Sequence, residues 1–193
     1  MRPIFKTFIC AWVALTLAFY TIEAQAQTYK AIVPVGSPFK LSESIGSNGF
    51  RFLGSWKVAG KFVIEGYSVD DGEVTPRVVF VPDAVYAKSV PTMRMEWAKT
   101  ATSGASVRHD NFDVLTFRND SKAARALVGS RSLQNLLSGQ IERIQGRAQI
   151  VVSGLHVFGE CDRILYMTSF VRVHHDAEKP QMIARARDNL FGC

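Results

Sequence analysis

Cysteine and histidine are scarce in this chain, at three and four of 193 residues. No paired-cysteine or H-E-x-x-H spacing occurs, which excludes the motif-borne zinc sites. G-x-S-x-G and a phosphate-binding glycine loop are also absent, which excludes a hydrolase nucleophile elbow and a P-loop. Long apolar runs are scarce too. Only Phe8 to Tyr20 qualifies, and it falls short of the roughly 20 residues that span a bilayer. No run of like charge marks an acidic or basic tail.

The one apolar run sits between Arg2 and Lys6 on one side and Ala24-Gln25-Ala26 on the other. Basic, apolar, then small-x-small is the order of a secretory signal. The expectation is therefore a signal peptide over residues 1–26 and one β-rich domain over residues 27–193. Removing Arg2, Lys6 and Glu23 takes 23 basic and 17 acidic residues to 21 and 16, a net charge of +5. No transmembrane segment is expected once the signal is removed. The expected location is outside the cytoplasm, periplasmic or extracellular.

Cys10 leaves with the signal, and no small residue precedes it as lipid attachment would need. Cys161 and Cys193 remain. In an oxidising compartment an even pair reads as a disulfide. A closed loop of about 30 residues would add roughly 3–4 kcal/mol in the chain-entropy picture. Cys161 as a nucleophile with His156 as base is disfavoured, because Glu160 and Asp162 flank it and neighbouring carboxylates raise a thiol pKa. Simple strand alternation also places His156 on the core face.

Strand signals dominate the rest. Thr28 to Val35 reads as an edge strand, and Ser42 to Gly49 as loop. Phe50 to Val58 and Lys61 to Val69 read as a hairpin turning at Ala59-Gly60, followed by a turn at Asp70-Asp71-Gly72. Arg77 to Val81, Thr92 to Trp97 and Phe112 to Phe117 read as strands, with Thr100 to Asn111 a polar loop between the last two. Asp120 is the expected N-cap of a helix closed by Gly129, with a second short helix through Leu137. Arg147 to Phe158 and Arg163 to His174 form the expected central hairpin. A four-residue loop would set His156 opposite Leu165 and Val152 opposite Ser169, with both faces apolar and covered. Met182, Ile183, Ala186 and Leu190 fall on one stripe of an expected C-terminal helix. The fold class is α+β and strand-dominated: a curved antiparallel sheet or small open β-barrel with one or two short helices and a C-terminal helix.

Gly54-Ser55-Trp56 resembles the Gly-x-Trp of lipocalin-like barrels, over three residues. The resemblance implies a barrel. The eight regular strands of that family are not visible, and the helical stretch at 120–137 departs from it.

Few residues carry chemistry. Arg118, Lys122 and Arg125, at spacings of four and three, would share one helix face. That face is either plain solvated surface or a docking patch for an anionic surface. No aromatic residues interleave with these charges as in single-strand binders, so nucleic acid is not an expected partner. An envelope protein or an anionic surface is. His109, Asp110 and Asp113 offer a base and carboxylates without a nucleophile beside them. His174-His175-Asp176 lacks further ligands nearby, so no metal and no cofactor are expected.

These features lead to an exported, non-catalytic binding or accessory protein of the cell envelope. One alternative is a small secreted hydrolase built on the loop at 109–113. Another is a barrel-type carrier of an apolar ligand lined by Trp56, Phe62 and Phe80.

Overall fold

Alternation of apolar and polar residues runs almost unbroken from Phe50 to Ile64. The computed structural model, which describes residues 28–68, 73–96, 107–108, 112, 114–160, 163–175 and 180–183, shows the consequence. Instead of a hairpin turning at Ala59-Gly60, one strand, β3, runs through Gly49–Ser68. Even-numbered side chains such as Phe52, Trp56, Val58, Phe62 and Ile64 are buried, and Arg51, Leu53, Lys57 and Lys61 face outward. Gly60 is not a turn but a place of close approach. A Cβ there would run into the Val81 carbonyl and lie 2.8 Å from the Phe80 ring.

The other elements are β1 (Thr28–Ile32), β2 (Phe39–Ile45), β4 (Val74–Pro82), α1 (Ala84–Ala87), β5 (Thr92–Glu96) and β6 (Val107–Arg108). They are followed by β7 (Leu115–Phe117), α2 (Asp120–Leu137), β8 (Arg143–Glu160), β9 (Arg163–His175) and β10 (Gln181–Ile183). Strand β2 occupies most of the stretch read as loop at 42–49. It pairs with the first third of β3, with Phe39 buried and nearly all its other side chains exposed.

The main sheet has seven strands in the order β10-β8-β9-β7-β4-β3-β2, and β8 also pairs with β3. That extra pairing closes a ring of β3, β4, β7, β9 and β8. Within the ring every pairing is antiparallel except β7 with β9. Such a ring, with a helix between its third and fourth strands, is a five-stranded Greek-key barrel, the architecture class of OB-type folds. A separate small sheet, β1-β5-β6, lies beside it. No helix among the described residues is long and apolar enough to cross a membrane.

Closing a five-strand barrel through a three-residue strand needs reinforcement, and Asn119 supplies it. Its side-chain amide donates to the Phe170 carbonyl and accepts from the Phe170 N–H, both at 2.9 Å. This extends the β7–β9 ladder by one side-chain rung. Asn119, not Asp120, is the cap position of α2, and its side chain makes no capping bond. Asp120 instead accepts the Val78 N–H at 3.2 Å. Gly129 breaks the helix at φ 78°, as the sequence indicates. Ala123, Ala124, Leu127, Leu133 and Leu136 are the buried side of the helix.

The β8–β9 hairpin differs from expectation in register. The ladder reaches Glu160–Arg163, which leaves two connecting residues rather than four. His156 lies opposite Met167 and Val152 opposite Phe170. Gly154, at φ 63°, makes a bulge that shifts the phase of β8. Ala148, Ile150 and Val152 are buried before it, Leu155 and Val157 after it. One face of the hairpin is therefore buried, while Val151, Leu165, Met167 and Val171 on the other retain solvent exposure. Thr168 holds the bulge by donating its hydroxyl to the Gly154 carbonyl. At the C-terminal end, Gln181–Ile183 pairs with Arg143–Gln145 as a strand and not as the start of a helix. The remainder of that expected helix lies outside the described residues, as do residues 1–26 and the turn at 70–72.

Two outcomes follow for stability. Gly60→Ala must displace β4 backbone, and overpacking of this kind costs about 1–3 kcal/mol. A urea melt should show a lower midpoint with unchanged slope, and an unchanged midpoint would refute the close approach. Burial raises the Asp120 pKa from 3.8 to about 6, against the pull of the Val78 N–H and of Arg77. Its ionisation therefore disfavours the folded state, with a penalty that is absent below pH 3.8 and grows until the pH passes about 6. Asp120→Asn keeps an acceptor for Val78 and cannot ionise. Its stability relative to wild type should rise across that window and level off above it. A difference independent of pH would refute the raised pKa.

Candidate functional site

The phase shift at Gly154 has a chemical result: it turns His156 outward, not onto the core face that plain alternation gives. There it stands in register with Arg51 of β3, which in turn stands beside Glu43 of β2. Arg51 Nε donates to His156 Nε2 at 2.7 Å, and its guanidinium also pairs with the Glu43 carboxylate. A nitrogen that accepts a hydrogen bond carries no proton, so the geometry assigns His156 as neutral, with its proton on Nδ1. Burial lowers the His156 pKa, and the positive charges of Arg118 and Arg51 lower it further, while Glu43 opposes them.

Arg118 completes the group from the turn between β7 and α2, where its N–H is held by the Thr168 carbonyl at 3.0 Å. Burial and the Arg51 charge push its pKa below the ordinary value, yet a guanidinium stays charged at neutral pH. Two guanidiniums, one carboxylate and one neutral imidazole from four separate elements thus act on one another, Glu43, Arg51 and His156 through direct contacts and Arg118 through its charge. The sum is one excess positive charge beside a hydrogen-bonding ring. Forked guanidinium donors are suited to a carboxylate, sulfate or phosphate.

Nearby hydroxyls are committed elsewhere. Ser55 donates to the Val152 carbonyl at 3.2 Å, Thr116 to the Tyr166 carbonyl at 3.2 Å, and Thr168 to the bulge. Further along β8, Arg147 makes a two-oxygen pair with Asp83 at 2.8 Å, and the largely buried Arg143 pairs with Glu65 at 2.6 Å. Lys57, Lys61 and Arg172 are exposed and have no carboxylate partner among the described residues.

The sequence-derived candidates separate. Arg118 belongs to the His156 group through its electrostatic coupling. Lys122 and Arg125 lie on α2, where with Ser121 and Ala126 they line an open surface depression. His109, Asp110, Asp113, Cys161, Cys193 and Asp176 lie outside the described residues. Trp56, Phe62 and Phe80 are buried. Trp56 meets Phe39, Tyr86 and Phe112 edge-on, and Phe80 meets Phe117. Phe62 lies so close to Gly146 that a Cβ there would sit 2.7 Å from its ring. Arg51 and Glu43 escape sequence reasoning because nothing local marks them. Only the β2–β3–β8 register brings them to His156.

No protein-family model, curated protein or solved structure matches this chain, so the site rests on its own geometry.

The electrostatic account is checked by proton NMR of the imidazoles. Arg118→Gln removes a positive charge and should raise the His156 pKa, leaving it below 6.5 because burial persists. An unmoved His156 titration would separate the two groups.

Proposed function

We propose that this protein is an exported, non-catalytic binding module of the cell envelope, with Arg51, Arg118 and His156 as its anion-recognition site. The observation that carries the reading is the hydrogen-bonded pair of Arg51 and a neutral His156 on the outer barrel wall, with the Arg118 charge acting on both. The commitment of Ser55, Thr116 and Thr168 to backbone carbonyls supports binding over catalysis, since it leaves those hydroxyls without the base a nucleophile needs. The signal-like segment at residues 1–26 supports export. The barrel architecture itself assigns no role, because one fold hosts many functions.

The test is a titration of the purified chain with inorganic phosphate and with galacturonate, followed through the His156 ring resonances. Saturable shifts are expected with at least one of the two anions. Arg51→Gln and Arg118→Gln should each weaken binding about tenfold, the range of one charge-assisted hydrogen bond. Absence of a shift with both anions, or identical affinity in both variants, would overturn the site. Recovery of the chain with its N-terminus near Gln27 outside the cytoplasm is the expected result of cell fractionation. Retention of an uncleaved cytoplasmic chain would remove the export half of the proposal.

A further inference from the structure

Hydrogen-bond direction makes the Arg51–His156 contact sensitive to acid. Arg51 Nε donates to His156 Nε2 at 2.7 Å, so the bond exists only while Nε2 carries no proton. An imidazolium has a donor at each ring nitrogen and nothing with which to accept. Protonation therefore replaces an attractive contact by two donors and two positive charges that face each other. The arrangement is relieved when the two groups separate or when an acceptor enters between them. An oxyanion is the fitting acceptor, because it takes a charge-assisted hydrogen bond from each cation.

The surroundings decide which state is present. Facing His156 are Arg51 of β3, Glu43 of β2 beyond it, and Arg118 of the turn between β7 and α2. On β9 the residue in register is the uncharged Met167. Burial and the two guanidiniums hold the His156 pKa below 6.5, with Glu43 opposing them. The neutral ring therefore prevails at neutral pH, and Arg51 is then held between His156 and Glu43. In that state the group carries one excess positive charge. After protonation it carries two, since the guanidiniums keep their charge throughout.

Resting on the anion-site reading above, we infer that His156 is an acid-operated gate on that site: neutral, it holds Arg51 by accepting its Nε–H, and protonated, it releases Arg51 and joins it in binding an oxyanion. Histidine suits the task because its titration lies in the range from weakly acidic to neutral. The ring is carried on a strand whose bulge is fixed by the Thr168 hydroxyl, so the change is confined to side chains. Binding and protonation are reciprocal in such a site. Whatever factor acid adds to the affinity for the anion, the anion adds to the affinity for the proton.

The experiment titrates the purified chain with sulfate, which stays fully ionised wherever histidine titrates, and follows the ring nitrogens of His156 by NMR. Binding is measured at about pH 8 and at about one unit below the His156 pKa found without sulfate. Affinity should be about tenfold or more higher at the acid pH, the range of one added charge-assisted hydrogen bond. Saturating sulfate should raise the His156 pKa by the same factor, about one unit or more. That rise is read on the upper limb of the titration, above any acid unfolding. At the higher pH the ring should show a bare Nε2 and a protonated Nδ1, and the Arg51 Nε–H resonance should move with the His156 titration. His156→Gln cannot titrate and should lose the gain in acid. Sulfate bound equally at both pH values, or a His156 pKa unmoved by sulfate, overturns the gate and leaves the anion site standing. A neutral ring protonated on Nε2, or a gain in acid kept by His156→Gln, overturns the gate as well. No sulfate binding at either pH also overturns it, and the phosphate and galacturonate titrations then decide separately whether the anion site survives.

Discussion

The bulge at Gly154 is the constraint on which the functional surface depends. It occurs opposite a two-residue step in β3, where Phe52 pairs with Leu155 and Ser55 with Ser153. A side chain at Gly154 would hold its Cβ in ordinary contact with its surroundings, so space does not demand glycine there. The backbone does, because φ near 60° is open to glycine and costly for most other residues. Thr168 then fixes the bulge from the neighbouring strand by its bond to the Gly154 carbonyl. Because the phase changes at that point, Leu155 and Val157 keep the core filled while His156 is sent outward. Without it, the imidazole would be buried among Phe52 and its neighbours, where a polar ring has few partners.

The same device links fold to site. Barrel closure requires the long strands β3 and β8 to curl, and a bulge supplies local twist at the cost of one ladder rung. On the other edge of β3, β2 has its own irregularity between Leu41 and Glu43, and this sets Glu43 beside Arg51. Closure on the other side goes through β7, which is short, so the chain lengthens that ladder with the Asn119 side chain. Residue 118 is thus held at a backbone position fixed by β9. The arginine that acts on His156 is placed by the requirement that the ring close.

Much of the fold was legible from pattern. The strand content, the Gly129 break and the β8–β9 hairpin follow from alternation and glycine punctuation. Among the readings that failed, three show the physical reasons most clearly. Ala59-Gly60 looks like a turn because glycine most often marks one, yet here it marks a close approach to Val81 on the next strand, 21 residues away. Ser42 to Gly49 is polar because β2 exposes nearly all its side chains, and a strand without an apolar face leaves little periodic trace. The hairpin register failed because a bulge changes parity without changing composition.

The site was less legible than the fold, and the reason is general to sheet surfaces. A helix brings together residues three or four apart, so Arg118, Lys122 and Arg125 look like a cluster in sequence. A barrel brings together residues separated by a hundred positions, so Glu43, Arg51, Arg118 and His156 do not. The association of Glu43, Arg51 and His156 depends on two registers, β2 on β3 and β3 on β8, and the position of Arg118 on the pairing of β7 with β9. The core thus decides the chemistry of the outer wall. Every apolar side chain directed inward commits its neighbours to face outward, and the charges exposed on the wall are set by the packing beneath them.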